Sequence, residues 1–517
     1  MQLNTQNKFI QSLPADPETK NEVRKVFEAC YSFVTPTEPA HPSLIHVSKE
    51  VAQLVGLKEN DWSTSAFLKV FSGKTVYENT QPYAMCYGGH QFGVWAGQLG
   101  DGRAINLFES NHLTLQLKGA GKTPYSRTAD GLAVLRSSIR EYLCAEAMHY
   151  LGVPTTRSLS LALSGDAVLR DIMYNGNPAY EKGAIVCRVA PSFIRFGSFE
   201  IFASRNDLKT LQLLADFTIK EYFPQITSEG KQKYIDFFEN VVQSTLRMII
   251  HWQRVGFVHG VMNTDNMSVH GITIDYGPYG WLEDFNPGWT PNTTDNQHKR
   301  YCYGNQPEIA LWNLYQLANA LYPIINETAD LERILEQYPK DFEQEYQRMM
   351  QEKLGIYNIK LGNGNIVDQL VHTLQLSETD YTIFFRLLSE VKKDDNTATA
   401  LEKITLAFYN PTEIQNDVLS AWHQWFTNYL QLLQTETPTD AERKLRMNLV
   451  NPKYVLRNYI AQLAIDEADK GNYSLIDELY NVLQKPYNEQ PEYEKWFAKR
   501  PDWAREKVGC SMLSCSS

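Results

Sequence analysis

One segment of the chain concentrates residues suited to chemistry on phosphates: His259-Gly-Val-Met-Asn-Thr-Asp265-Asn266-Met-Ser-Val-His-Gly-Ile-Thr-Ile-Asp275-Tyr-Gly277. Asn266 offers an amide oxygen and Asp275 a carboxylate, the hard oxygen donors that Mg²⁺ prefers. Asp265 is a second carboxylate, placed where it could accept a proton from a hydroxyl. A plain loop of turn-forming Asn and Asp is the bland alternative, and His259 reads as a structural loop histidine rather than an acid or base.

Basic residues and glycines upstream could hold the phosphates. Gly97-Gln-Leu-Gly100-Asp101-Gly102-Arg103 would let the backbone approach phosphate oxygens, with Arg103 adding a charge-assisted contact, unless it is a simple hairpin turn. Lys118 ends a strand, and Glu141 follows 23 positions later on a helix face. Kinases pair a phosphate-binding Lys with a helix Glu at such a spacing. Arg188 and Arg195 lie seven residues apart, and Arg188 falls in an otherwise apolar strand, where a guanidinium requires a partner. A carboxylate or a polyphosphate would serve equally. The 259–277 segment also follows kinase order: a His, an Asn seven positions later, a hairpin, then Asp-Tyr-Gly for Asp-Phe-Gly. Val261 stands in the slot of the kinase catalytic Asp, which leaves Asp265 as the available base.

These groups need a scaffold. Leu113–Lys118 alternates apolar and polar residues, as a half-buried strand should, and Ala184–Ala190 reads as a better-buried strand. Between them Leu132, Leu135, Ile139, Leu143 and Leu151 mark a helix that stops at Gly152. Helical signals are expected at Asn21–Phe33, His46–Gly56 and Tyr234–Val255, and again from Pro307 to Leu321. A short strand pair is expected at Met267–Val269 and Ile272–Ile274. The expected layout is an N-terminal extension (1–75), a β-rich lobe (76–215), a helical lobe (216–440) and a helical extension with a Cys-containing tail (441–517). That is a bilobal α+β protein with a nucleotide cleft between lobes.

Composition narrows the function. The 517 residues are 43% hydrophobic and 21% charged, an ordinary globular profile. A net charge of −11 argues against bulk nucleic-acid binding. No stretch approaches the ~20 apolar residues of a membrane span. Seven scattered cysteines without a Cys-x-x-Cys pair, and an N-terminus without a targeting pattern, point to the cytoplasm.

Four blocks resemble the selenoprotein O (YdiU-like) family: GGHQFGVWAGQLGDGR (88–103), LQLKGAGKTPYSRTADGLAVLRSSIREYLCAEAM (115–148), RVAPSFIRFGSFE (188–200) and HGVMNTDNMSVHGITIDYGPYGWLEDFNP (259–287). The Cys-Ser-Ser ending is similar as well. The resemblance implies a protein-kinase-like fold that transfers AMP from ATP, bound in a flipped pose, to Ser, Thr or Tyr hydroxyls of proteins; the sequence leaves UTP open as an alternative donor. It implies that Gly100, Gly102, Arg103, Lys118, Asp130, Gly131, Arg188, Arg195 and Asp275 hold the nucleotide and that Glu141 orients Lys118. Asn266 and Asp275 would bind Mg²⁺ or Mn²⁺, and Asp265 would be the base. Where some members carry a cysteine after Asp-Tyr-Gly this chain has Pro291, which argues against a disulfide from that loop to the tail. Cys510 and Cys515 are expected to be exposed in a polar tail, where Cys515 would tune activity by oxidation or be inert. Two other readings stay open: an unusual kinase-like phosphotransferase, and a non-catalytic ATP-binding switch.

Overall fold

The computed structural model of the chain describes residues 1–173, 175–357, 365–510 and 512–514. Its strands are β1 (Thr5–Gln6), β2 (Tyr31–Phe33), β3 (Ser43–Val47), β4 (Tyr83–Met85), β5 (Gly88–Gln91), β6 (Val94–Gln98), β7 (Ala104–Ser110), β8 (Leu113–Lys118), β9 (Arg157–Arg170), β10 (Ala179–Ala190), β11 (Phe257–Val258) and β12 (Gly280–Trp281). Eight of them form one antiparallel sheet in the order β2-β4-β7-β8-β10-β9-β3, with β1 paired to β7. β7 and β8 are joined by a two-residue turn, as antiparallel pairing allows, whereas β8 reaches β9 through a helix. β5 and β6 make a separate hairpin, and β11 pairs with β12.

Helix Leu135–Tyr150 packs on β9 and β10. Gly152 (φ +71°) ends the run one residue after Leu151, as expected, but the helix starts at Leu135 because Leu132 bridges to Ala120. Helix Lys231–Val255 buries Ile235, Phe238, Val242 and Ile249 and stops at Gly256 in the left-handed region, which a glycine enters without strain. Helices then dominate to about residue 483, among them Gln306–Ile325 and Ala329–Leu354. The architecture is mixed α/β, an antiparallel sheet followed by many helices.

Several expectations are corrected. Residues 21–28 form no regular element rather than a helix: Arg24 N–H bonds Pro124 O, Val26 N–H bonds Gln98 Oε1, and Tyr31–Phe33 pair with β4. Tertiary partners for this backbone outweigh its weak helical periodicity. The 46–56 helix shrinks to Lys49–Leu54, capped by Ser48, because His46 and Val47 pair with β9. The strand pair at 267–274 is a single bridge, Met267 to Thr273. β8 is not half-solvated: Thr114, Gln116 and Lys118 on its polar face are all buried. Cys510 is buried, and burial pushes its thiol up to about 11, so it is not the exposed thiol expected; Cys515 lies outside the described residues.

Candidate functional site

The buried polar face of the sheet leads into the site. Register sets Asn106 of β7 opposite Gln116 of β8, and Gln116 opposite Arg188 of β10. Gln116 donates to Asn106 Oδ1 (3.1 Å) and accepts from Arg188 through its own oxygen. Asn106 in turn donates to Asp101 Oδ2 at 3.2 Å. Polar groups this deep need such partners, since each orphan costs about 1–3 kcal/mol.

Asp275 sits where this row meets the loops. Its Oδ1 accepts from Arg188 Nη1 at 2.6 Å and lies 3.5 Å from Lys118 Nζ; its Oδ2 accepts from Arg195 Nη1 at 2.7 Å. Glu141, carried by helix Leu135–Tyr150, contacts Lys118 Nζ and accepts from Arg188 Nη1 at 2.9 Å. Burial alone would push the Asp275 carboxyl up, but Arg188, Arg195 and Lys118 hold it well below the usual carboxylate range. Burial lowers the Lys118 ammonium, against the pull of Glu141 and Asp275. Asp275 has φ +58°, a left-handed conformation that Asp adopts more readily than most residues.

Asp265 and Asn266 lie on a single 3₁₀ turn, Thr264–Asn266. Burial raises the Asp265 carboxyl to about 7, opposed by Arg195 and by a hydrogen bond from Gln91. Arg195 Nη1 also donates to the Asp265 carbonyl at 2.7 Å, so one guanidinium ties Asp265 to Asp275. Asn266 donates from Nδ2 to Val261 O at 2.9 Å, leaving its Oδ1 without a hydrogen bond among the described residues. His259 is buried, bonds Ile274 O through Nε2 at 2.9 Å and stacks on Trp252. It braces the loop, and burial lowers its imidazole.

A cleft of about 670 Å³ opens over these groups. Gly100, Gly102, Arg103, Lys118, Asp130, Gly131, Arg188, Asp265, Asn266 and Asp275 all line it. Arg195 and Glu141 stand just behind, each touching a lining side chain. Gly100 has φ +79°, and a Cβ there would come within 2.3 Å of the Tyr125 ring. Thr123 Oγ1 on the Asp101 carbonyl (2.7 Å) and Ser126 on the Gly102 carbonyl pack the glycine loop against residues 123–126. Arg103 has no ion-pair partner among the described residues and contributes an uncompensated charge to the cleft wall. Asp130 is held by both Nη atoms of Arg170, at 2.7 and 2.8 Å, and Gly131 O accepts from Gly121 N–H at 3.0 Å.

Sequence reasoning missed Asp101, Asn106, Gln116, Gln91 and Arg170. The alternating polar positions of β8 were the available signal for Gln116. Gln91 and Arg170 carried none, since their partners Asp265 and Asp130 lie 174 and 40 residues away.

Residues 16–484 match the family model described as "Protein adenylyltransferase SelO". The chain is 65% identical to the "Protein nucleotidyltransferase YdiU" of Flavobacterium johnsoniae, covering 100% of this chain and 99% of that protein. It is 52% identical to the proteins of the same name from Rhodopirellula baltica and Aromatoleum aromaticum, covering 99% of this chain and 98% and 99% of theirs. With nearly the whole chain matched, and the cleft residues lying inside the matched span, the protein belongs to the SelO family of protein adenylyltransferases.

Proposed function

We propose that the protein transfers AMP from ATP to Ser, Thr or Tyr hydroxyls of other proteins and releases pyrophosphate. The observation that carries this reading is the convergence of Lys118, Arg188 and Arg195 on one carboxylate, Asp275, in a cleft where Arg103 adds a fourth cation. Without nucleotide, Asp275 and Glu141 offset only two of the three buried positive charges. A triphosphate offers a larger anion to the same groups, and stabilising charge that develops on departing pyrophosphate is a leading electrostatic route to catalysis. The sheet-plus-helix layout with Lys118–Glu141 and Asp-Tyr-Gly supports a kinase-like bilobal arrangement, with the cleft between its lobes.

In this reading Gly100 and Gly102 admit the phosphates close to backbone, Arg103, Lys118, Arg188 and Arg195 bind them, and Glu141 keeps Lys118 in place. Asp130 and Gly131 hold the nucleotide at the far wall of the cleft. Asp265 accepts the proton of the attacking hydroxyl, with a pKa near neutrality suited to that task. Asn266 Oδ1 and the Asp275 carboxylate fit Mg²⁺ or Mn²⁺: both are hard oxygen donors, and a nucleotide-bound ion uses only one or two protein ligands. When bound, the ion supplies positive charge that offsets the phosphates.

The test follows the label. ATP labelled at the α-phosphate should leave stable label on protein, with a mass gain of one AMP, and γ-labelled ATP should leave none. Lys118→Ala should lose most of the α-signal. Covalent γ-label without α-label would make the protein a kinase, and ATP binding with neither label, with several acceptors and both metals, would make it a switch.

A further inference from the structure

Hairpin β5–β6 grips three consecutive residues of the catalytic loop. Phe92 N–H donates to Asn263 Oδ1 at 3.2 Å, His90 N–H to Thr264 Oγ1 at 2.7 Å, and the Gln91 side-chain amide to Asp265 Oδ2 at 3.3 Å. The hairpin is itself anchored: His90 Nδ1 lies 2.6 Å from the buried Glu200, and Phe92 N–H also reaches Tyr301 OH at 3.0 Å. Gly89 lies flat against the loop, since a Cβ there would be 2.9 Å from both Cβ and Oδ1 of Asp265.

Gln91 makes the sole side-chain hydrogen bond to the Asp265 carboxylate among the described residues, and Oδ1 is buried without a partner. The terminal torsion of an Asp is broad, so one bond sets the plane of the carboxylate. We propose that Gln91 is a positioning residue for the transfer reaction, orienting the Asp265 carboxylate toward the incoming acceptor hydroxyl. The proposal rests on the reading of Asp265 as the base. Gln91 has no hydrogen bond to Lys118, Arg188 or Arg195, whose partners are Asp275, Glu141 and Gln116 among others. Gln91 itself lines the cleft, but with no tie to these cations its influence should fall chiefly on the rate of transfer rather than on nucleotide affinity.

Gln91→Met keeps the length of the side chain and removes the donor. With α-labelled ATP and a saturating acceptor protein, kcat should fall roughly 10- to 100-fold, the scale of a misplaced reacting group, while KM for ATP changes by less than about twofold. Gln91→Asn, which falls one methylene short, should show the same split and serves if the Met variant folds poorly. Combined with Asp265→Asn, Gln91→Met should cost nothing more, because the group it orients no longer acts. Parent-like kcat in both Gln91 variants beside a slow Asp265→Asn protein would overturn the proposal. So would a multiplicative loss in the double variant, or equal losses of kcat and ATP affinity. A parent-like Asp265→Asn protein would instead overturn the base reading itself.

Discussion

Asp275→Ala removes the anion shared by three buried cations. Arg188 and Arg195 have side chains only 2% and 1% exposed, and their bonds to Asp275 are 2.6 and 2.7 Å long. After substitution Arg188 and Lys118 still share Glu141, but Arg195 keeps the Tyr87 ring, backbone carbonyls and, as its nearest carboxylate among the described residues, Asp101 at 3.9 Å. Taking one partner from a buried ion pair typically costs about 3–5 kcal/mol. At about 2.1 cal/mol/K per residue the unfolding entropy of 517 residues is about 1 kcal/mol/K, so the melting temperature should drop by roughly 3–5 °C. Metal-free pyrophosphate should recover more of that drop in the variant than it adds to the parent, since the parent's arginines must first leave Asp275. Metal-dependent ATP binding and AMP transfer should disappear together, because the carboxylate proposed to hold the ion is gone. Thermal melts with and without pyrophosphate and Mg²⁺, beside an α-label transfer assay, measure all three. A variant that melts with the parent and keeps metal-dependent transfer would refute the reasoning.

Two further outcomes are expected. Asp265→Ala should bind ATP like the parent yet transfer AMP roughly 10²–10⁴-fold more slowly, the usual worth of a general base; equal losses of binding and rate would recast Asp265 as a ligand or structural group. Gly100→Ala places a Cβ within 2.3 Å of the Tyr125 ring at φ +79°, so the loop must shift. ATP titration should show affinity reduced about tenfold, and unchanged affinity would remove this loop from the phosphate site.

The residues that gather at the cleft were legible because the chemistry demands particular types. Arg188 in an apolar strand calls for a partner, and Lys118, Glu141, Asp265, Asn266 and Asp275 fell at the order and spacing of kinase-type phosphate and metal groups, so these residues stood out. Helices with strong periodicity, such as Lys231–Val255, were legible for the same local reason. Marginal signals were not: residues 21–28 look helical alone, yet their backbone is claimed by Pro124 and Gln98.

The sequence by itself determined which side chains could do phosphate chemistry, the family to which their blocks are similar, and the strands and long helices that carry them. Only the tertiary structure decided which carboxylate each cation serves: Arg188 takes both Glu141 and Asp275, and Arg195 joins Asp275 to the backbone of Asp265. It alone disclosed that the polar face of β8 points inward through Gln116, that Cys510 is buried, and that Gln91 reaches Asp265 across 174 residues of chain. The physical reason is common to these cases. Periodicity reports whether a residue alternates with apolar neighbours, but the polar face of a strand looks the same whether water or a buried ionic network covers it.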